Sequence, residues 1–192
     1  CAEKSGIKSV VITSARAQEG KSSISAMLAI VLAQSGKKTL LIDCDLRNPR
    51  IHRIFSMSQS GLSNCLSGEM EWKDAVCKSM TDNLNILPAG TGSSTPVELI
   101  SSDAMKNLII SLKENFDFII LDTPPVGMFT DAQVLSLYTD GYLIVVSANE
   151  SDKSFTRKAI KQLQYYDSKI IGALLNKVPK SKPHRKYGYY YG

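Results

Sequence analysis

The chain has 192 residues, of which 43% are hydrophobic and 21% charged, which is typical of a single globular domain. Its longest apolar runs are much shorter than the roughly 20 residues that cross a bilayer, so we expect no membrane span. The formal net charge of +5 equals the five basic residues of 177–192, where no acid occurs, so residues 1–176 are neutral overall. Such a neutral body is not typical of nucleic-acid-binding proteins. The four cysteines form no C-x-x-C pair, which favours reduced thiols in the cytoplasm over a zinc site.

Apolar segments of β character alternate with helical segments along the chain. The predicted strands are 9–13, 39–43, 84–87, 118–122, 142–146 and 170–176, and the predicted helices are 24–34, 103–114, 131–138 and 153–166. Strands that are apolar throughout are typical of a parallel sheet covered on both faces. The alternation therefore predicts an α/β, doubly wound, mostly parallel sheet. We expect this domain to span residues 1–176, and residues 177–192, which lack periodicity, to form a flexible, basic, tyrosine-rich tail.

A phosphate-binding motif follows the first predicted strand. Gly20-Lys21-Ser22 opens a helix, where backbone N–H groups and the helix dipole attract a phosphate. Lys21 would reach the terminal phosphates and the Ser22 hydroxyl would ligate Mg²⁺. Ala15 stands where the usual motif has its first glycine, so a chance Gly-Lys-Ser at a helix start is the alternative explanation. The residues predicted to bind the nucleotide in this loop are Ala17, Gln18, Glu19, Gly20, Lys21, Ser22 and Ser23.

Two further strands end in carboxylates. Asp43 and Asp45 lie two residues apart after the second strand, and Asp122 ends the strand at 118–122 in the manner of a Walker B motif. Carboxylates in these places can hold Mg²⁺ or accept a proton. Each segment alone is compatible with a turn-forming aspartate. Together, in this order along the chain, the three motifs indicate a nucleotide site.

The motifs resemble those of the bacterial tyrosine kinases, P-loop kinases of capsule and exopolysaccharide biosynthesis. The resemblance rests on Gly20-Lys21-Ser22, Asp43-Cys44-Asp45-Leu46-Arg47, Asp122-Thr123-Pro124-Pro125 and a C-terminal tyrosine cluster. It implies a P-loop NTPase of the deviant Walker, Min-like type that uses ATP and Mg²⁺ and phosphorylates its own tyrosines. The tyrosines implied as autophosphorylation sites are Tyr187, Tyr189, Tyr190 and Tyr191.

The resemblance also implies roles for individual residues. Lys21, Asp43 and Asp45 are the implied catalytic residues, with Asp43 as the acceptor of the tyrosine proton. Ser22, Asp45 and Asp122 are the implied Mg²⁺ ligands. Asn176 either contacts adenine or is simply a polar residue at a strand end. Arg47 either takes part in activation or subunit contact, or is a solvated loop arginine.

The implied partners are a membrane-anchored polysaccharide co-polymerase that activates the kinase, further copies of the chain, and a cognate tyrosine phosphatase. The implied location is the cytoplasm, with recruitment to the inner face of the membrane. Copies of the chain would phosphorylate one another in trans, and a ring is one assembly that the resemblance allows. The family's E-x-x-R-x-x-R assembly motif is not found in this sequence, so ring assembly stays open. Ala17-Gln18 replaces the family's Pro-Gly, which predicts weaker nucleotide binding and a costly positive φ at Gln18.

Two other functions remain compatible with the sequence. The first is a regulatory ATPase of the Min or chromosome-partitioning type, although those proteins carry a lysine where this chain has Arg16. The second is a non-catalytic nucleotide-binding scaffold whose tail binds a partner. ATP hydrolysis without phosphotyrosine would favour the first, and nucleotide binding without turnover would favour the second.

Overall fold

A single seven-stranded sheet organises the protein in this computed structural model, which describes residues 6–57, 60–148, 151–165 and 169–179. The strands are β1 (Ser9–Ser14), β2 (Thr39–Asp43), β3 (Cys77–Lys78), β4 (Leu84–Leu87), β5 (Phe118–Asp122), β6 (Gly141–Ser147) and β7 (Ile170–Asn176). The helices are α1 (Lys21–Gln34), α2 (Ile51–Ile54), α3 (Leu62–Leu66), α4 (Trp72–Ala75), α5 (Pro96–Ile100), α6 (Asp103–Asn115), α7 (Asp131–Leu135) and α8 (Lys153–Tyr165).

The strand order is β3-β4-β2-β5-β1-β6-β7. Every neighbouring pair is parallel except β3 with β4, which pair antiparallel at the edge. The prediction of a doubly wound, mostly parallel α/β sheet is therefore confirmed. The three central strands β2, β5 and β1 bring the ends that carry the predicted motifs to one edge, where ligands bind in open α/β sheets.

Helices cover the sheet on both faces. Within β2, Leu40 and Ile42 belong to one buried cluster and Leu41 to the other, because successive side chains of a strand point to opposite faces. The cluster of Leu41 contains Ala26, Ala29 and Ala33 of α1, and these small side chains allow α1 to lie close to the strands. The other cluster contains the apolar side of α6. This two-sided burial explains why the central strands are apolar throughout.

The predicted elements agree with the structure for the long, buried segments. β2, β4, β5 and β7 have the predicted bounds, and Gly36 has a φ of +85°, as expected of a residue that ends a helix. α1 begins at Lys21, three residues before the predicted start, and the predicted helix 131–138 ends at Leu135. The short helices α2 to α5 and strand β3 were not predicted.

Other described features bear on the sequence-based expectations. Trp72 packs edge-on against Phe116, with ring centroids 6.4 Å apart, so its side chain serves packing. Cys44, Cys65 and Cys77 are free thiols, and Cys44 is fully buried. Within the described ranges, no helix combines the length and apolar character that a membrane crossing requires. The predicted boundary at residue 176 stays a prediction, and Tyr187, Tyr189, Tyr190 and Tyr191 lie outside the described residues.

Candidate active site

A cleft of about 560 Å³ lies over the carboxyl ends of β1, β2 and β5. Three loops form it, one after each strand. Its lining residues are Ala17, Gln18, Gly20, Lys21, Ser22, Ser23, Asp45, Arg47, Asn48, Arg50, Pro124, Pro125, Met128 and Phe129. Six of the seven predicted loop contacts for the nucleotide, and Asp45, therefore face one cavity.

The phosphate loop, residues 15–22, joins β1 to α1 at a glycine. Gly20 is the N-cap of α1 with a φ of +94°, and a Cβ added there would lie 2.2 Å from Nδ2 of Asn176. Only glycine satisfies both the left-handed backbone and the close approach of Asn176. The first intrahelical bond runs from the Ile24 N–H to the Gly20 carbonyl at 3.0 Å. The N–H groups of the first turn, from Lys21 to Ser23, thus have no intrahelical acceptor and can bind an anion.

Glu19 holds the phosphate loop from its inner side. The Glu19 side chain is buried, and its Oε2 accepts a hydrogen bond from the Arg16 N–H at 2.8 Å. Its Oε1 accepts a second bond from the Ser151 hydroxyl. Glu19 is thus the one predicted loop residue whose side chain shapes the loop from behind instead of lining the cleft.

Gln18 has a φ of +66°, which matches the expected positive φ at this position. This left-handed backbone is costly for a residue with a side chain. Gln18 is therefore a strained residue of the loop, and it lines the cleft.

Lys21 and Asp45 join the phosphate loop to the loop after β2, which we call the acidic loop (residues 44–50). Nζ of Lys21 lies 3.0 Å from Oδ2 of Asp45, and both side chains are nearly buried. The other oxygen of Asp45 accepts a hydrogen bond from the Asn48 N–H at 3.0 Å. The Lys21 ammonium thus pairs with a carboxylate, and a phosphate entering the cleft would compete for it.

Asp43 is fully buried beneath the acidic loop. Its Oδ1 accepts the Asp45 N–H at 3.2 Å, and its Oδ2 accepts the N–H groups of Arg50 and Ile51 at 3.0 and 2.9 Å. Burial, and secondarily the neighbouring Asp122 carboxylate, raise the pKa of Asp43 to about 7. The carboxyl group therefore shapes the loop and start of α2, and titrates near neutral pH. It does not line the cleft.

Asp122 lies beside Asp43 in the sheet register and is likewise fully buried. Its Oδ1 accepts a hydrogen bond from the Ser25 hydroxyl at 3.0 Å, whereas its Oδ2 has no hydrogen-bond partner among the described residues. Burial raises the pKa of Asp122, and the charge of Lys21 opposes that rise. An unpartnered buried carboxylate oxygen next to a phosphate loop is suited to a cation or to a water bound to one.

The oxygen-rich donor set around the loop fits Mg²⁺ in the way that nucleotide sites hold it. No three acidic, cysteine or histidine side chains converge on one point within the described ranges. Mg²⁺ does not require such a cage, because it is usually held by one or two carboxylates together with water and substrate phosphates. Ser22, Asp45 and Asp122 supply that kind of partial ligand set.

Asn176, for which the resemblance implied either an adenine contact or no more than a polar strand end, lies beneath the phosphate loop at the end of β7. Its Nδ2 donates to the Glu19 carbonyl at 3.0 Å and is the atom that leaves no room for a side chain at Gly20. Asn176 therefore supports the loop backbone in this structure. A contact with adenine stays a prediction.

Sequence reasoning missed the outer wall of the cleft. The Arg47 guanidinium stacks 4.5 Å from the centroid of the Phe129 ring, and its Nη2 lies 3.5 Å from Oδ2 of the fully buried Asp131. Arg47 is exposed to solvent but contacts Phe129 and Asp131 of its own chain, and a role in activation or subunit contact stays a prediction. Burial raises the pKa of Asp131, and the charge of Arg47 opposes this. Residues so far apart in the chain leave no local pattern that could have revealed this cluster.

Comparisons with known proteins agree with a nucleotide-binding site at this edge of the sheet. Residues 7–177 match the family model described as AAA domain. The chain is 42% identical over 185 residues to the tyrosine-protein kinase YwqD of Bacillus subtilis, and the match covers 96% of this chain and 78% of that protein. The crystal structure of the chimerical protein CapA2B2 superposes with a TM-score of 0.88 at 38% identity, over 91% of this chain and 77% of that one.

The fold also extends to ATPases of another class. The septum site-determining protein MinD of Pyrococcus horikoshii, solved with Mg-ADP, superposes with a TM-score of 0.75 at 26% identity, over 88% of this chain and 69% of that one. The P-loop ATPase fold shared by both groups is a nucleotide-binding fold. Because the AAA match covers residues 7–177 and the kinase match nearly the whole chain, this protein belongs to the family of bacterial tyrosine-protein kinases.

Proposed function

We propose that the protein uses Mg²⁺ and ATP and transfers the terminal phosphoryl group to tyrosine hydroxyls on other copies of the same chain. The observation that carries the proposal is the placement of Lys21 and Asp45, 3.0 Å apart, in one cleft, with the buried Asp122, one of whose oxygens is unpartnered, near enough to be affected by the Lys21 charge. Phosphoryl transfer needs positive charge at the transferred group and oxygen ligands for the metal. The family membership supports tyrosine as the acceptor.

The loop residues Ala17 to Ser23 would bind the nucleotide phosphates, through N–H groups at the start of α1 and through the Lys21 ammonium. When bound, Mg²⁺ would neutralise charge on the phosphates, and Ser22, Asp45 and Asp122 would hold it directly or through water. A phosphate that attracts Lys21 would release Asp45 from its ion pair. Asp45 would then be available as a ligand at the moment the nucleotide is present.

Asp43 remains our proposed acceptor of the tyrosine proton. Its pKa of about 7 suits a general base at neutral pH. Since both of its oxygens accept backbone hydrogen bonds of the acidic loop, the tyrosine hydroxyl would reach it only after that loop moves. Release of Asp45 by Lys21 is the step that would permit this movement.

The proposed acceptors are Tyr187, Tyr189, Tyr190 and Tyr191, phosphorylated in trans by another copy of the chain. The wider role we propose is control of capsular or exopolysaccharide synthesis and export. It would involve a membrane-anchored activator, a cognate phosphatase and a place in the cytoplasm at the inner face of the membrane. The family resemblance supports these partners, and the chimerical nature of CapA2B2 is compatible with a kinase that works together with a second component.

Intact mass measured after incubation with Mg-ATP tests the proposal directly. We expect mass increments of whole phosphates, and tyrosine as the modified residue. Lys21→Met should slow the transfer by about 10²–10³, the usual cost of one electrostatic contact to the transition state. The exposed Lys161 of α8 provides the matched control, and Lys161→Met should behave as wild type.

A Min-type ATPase is the competing function, because of the likeness to MinD. Arg16, which occupies the place of the second lysine in those proteins, stacks over Phe155 of its own chain at 4.5 Å. Phosphate release from ATP without any phosphotyrosine would favour this ATPase. Nucleotide binding that yields neither free phosphate nor phosphotyrosine would favour a non-catalytic nucleotide-binding scaffold. Full phosphorylation of a folded Lys21→Met chain would disprove the proposed site.

A further inference from the structure

The cleft is lined by more kinds of side chain than the binding of nucleotide phosphates requires. The phosphate loop lines one part of it with small, polar residues. The remaining wall comes from the acidic loop and from the segment after β5, and it is made of Arg47, Asn48, Arg50, two prolines, Met128 and Phe129. A wall of this composition suits an aromatic ring that carries a polar end.

Met128 is the most conspicuous member of this wall. It is 58% exposed, although it lines the cleft and lies two residues after the buried Val126. A thioether beside a cleft packs favourably on an aromatic ring and adapts its shape to it. Its neighbour Phe129 adds a flat apolar surface.

The Phe129 ring is fixed in place from one side. The Arg47 guanidinium stacks on it, and the buried Asp131 holds that guanidinium in turn. Pro124 and Pro125 precede these residues and restrict the backbone of the same segment. A surface that is already ordered loses little entropy when a ligand binds.

The charges along the cleft suit the phosphate that a bound tyrosine would receive. The charged lining residues are Lys21, Arg47, Arg50 and Asp45, so cations prevail. A ring packed on Met128 and Phe129 would have its hydroxyl within a cleft that also contains Lys21 of the phosphate loop. An aromatic ring and a phosphate can therefore be bound together there.

Resting on the proposed function, we propose that Met128 and Phe129 form the seat for the ring of the acceptor tyrosine, and that Arg47 positions the Phe129 ring. The two residues then determine how well an acceptor binds. They do not touch the phosphoryl group, so they affect the KM for the acceptor more than kcat. The binding of nucleotide does not depend on them.

The test uses the full chain with saturating Mg-ATP and a synthetic peptide of residues 185–192 as acceptor. Met128→Ala and Phe129→Leu should each raise the KM for the peptide about three- to tenfold, the range expected for loss of one aromatic contact. The kcat and the Kd of ADP, measured by calorimetry, should change less than about twofold. Met80→Ala is the matched control, because Met80 is fully exposed and lies outside the cleft lining.

The outcomes separate this inference from the proposed function. An unchanged KM in both variants overturns the seat, and so does an ADP affinity that falls as much as the KM rises, since the wall would then contact the nucleotide. A wild-type chain that phosphorylates neither itself nor the peptide overturns the proposed function instead. If only whole chains serve as acceptors, the Lys21→Met chain replaces the peptide, and the same KM comparison decides.

Discussion

The phosphate loop and the acidic loop lie side by side at the cleft but are stabilised in opposite ways. In the phosphate loop, Glu19 and Asn176 support the backbone from behind, and the N–H groups that open α1 stay available to a ligand. In the acidic loop, the carboxylates of Asp43 and Asp45 accept the loop's own N–H groups. One loop thus offers its backbone to an anion, whereas the other offers side chains to a cation. The Lys21–Asp45 ion pair is the contact between the two.

The largest effect that would sharpen this comparison concerns Asp43, whose folded-state pKa of about 7 lies well above the ordinary value near 3.9. Between these two values the folded chain binds more protons than the unfolded chain. The stabilisation from the protonated group is therefore complete below about pH 4 and is lost as the pH rises through about 7. As the pH rises through this range, the titration of Asp43 should lower the free energy of unfolding by on the order of a few kcal/mol. Urea titration without Mg²⁺ or nucleotide measures this change.

Asp43→Asn is the comparison that isolates this titration, because the amide does not ionise. Near pH 4 the variant should be less stable than the wild type, because the amide nitrogen of Asn cannot accept the backbone N–H groups that one Asp43 oxygen accepts. The wild type should lose stability against the variant as the pH rises toward 8. Parallel stability curves would show that Asp43 titrates normally and that the acidic loop does not depend on its protonation.

The sequence predicted the elements that are governed by local pattern. β2 and β5 were predicted with their observed bounds because an unbroken apolar run followed by aspartate is a local signal. Helix α2 carried no such signal. It begins where the Asp43 carboxylate accepts the N–H of Ile51, a contact made by tertiary structure. α3 likewise depends on the Pro88 carbonyl, which accepts the Leu62 N–H at 2.7 Å.

The same distinction applies to the site. Lys21, Asp45 and Asp122 were found from motifs, because each belongs to a short motif at the end of a strand or in the loop that follows it. The clamp between Glu19 and Ser151 and the pair between Arg47 and Asp131 join residues 132 and 84 positions apart, so neither leaves a periodic or spaced pattern. Sequence reasoning therefore found the groups that face the ligand. It named supporting residues such as Glu19 and Asn176 only as candidate ligand contacts, and it missed the partners Ser151 and Asp131.

A smaller effect is expected from Gly20, where the phosphate loop meets its support. Gly20→Ala would place a Cβ 2.2 Å from Nδ2 of Asn176, in addition to the strain of a φ of +94°. Gly36→Ala is the matched control, since Gly36 has a φ of +85° and no atom within 4 Å of an added Cβ. Each variant should lose roughly 1–2 kcal/mol of stability from left-handed backbone alone.

Only Gly20→Ala should also weaken nucleotide binding, by about tenfold in the Kd of ADP, because only there must the loop shift. Adding Asn176→Ala to Gly20→Ala should remove the crowding and recover part of the affinity. Equal affinities for ADP in the two single variants would mean that Asn176 does not constrain the loop.

The smallest effect is expected from Ser151, which lies outside the cleft and contacts the phosphate loop through Glu19. Its hydroxyl donates to the buried Glu19 carboxylate and accepts the Ser147 N–H at 2.8 Å. Ser151→Ala removes both bonds but leaves Glu19 bound to the Arg16 N–H. The loss of such a bond costs about 1 kcal/mol, so the Kd of ADP should rise no more than about fivefold.

Ser101→Ala is the control, because it removes an exposed hydroxyl that donates to the Glu98 carbonyl at 3.2 Å and should leave the Kd of ADP unchanged. If Ser151→Ala also leaves it unchanged, the Arg16 contact alone suffices to hold the loop, and the support of the phosphate loop is simpler than the two-sided clamp suggests.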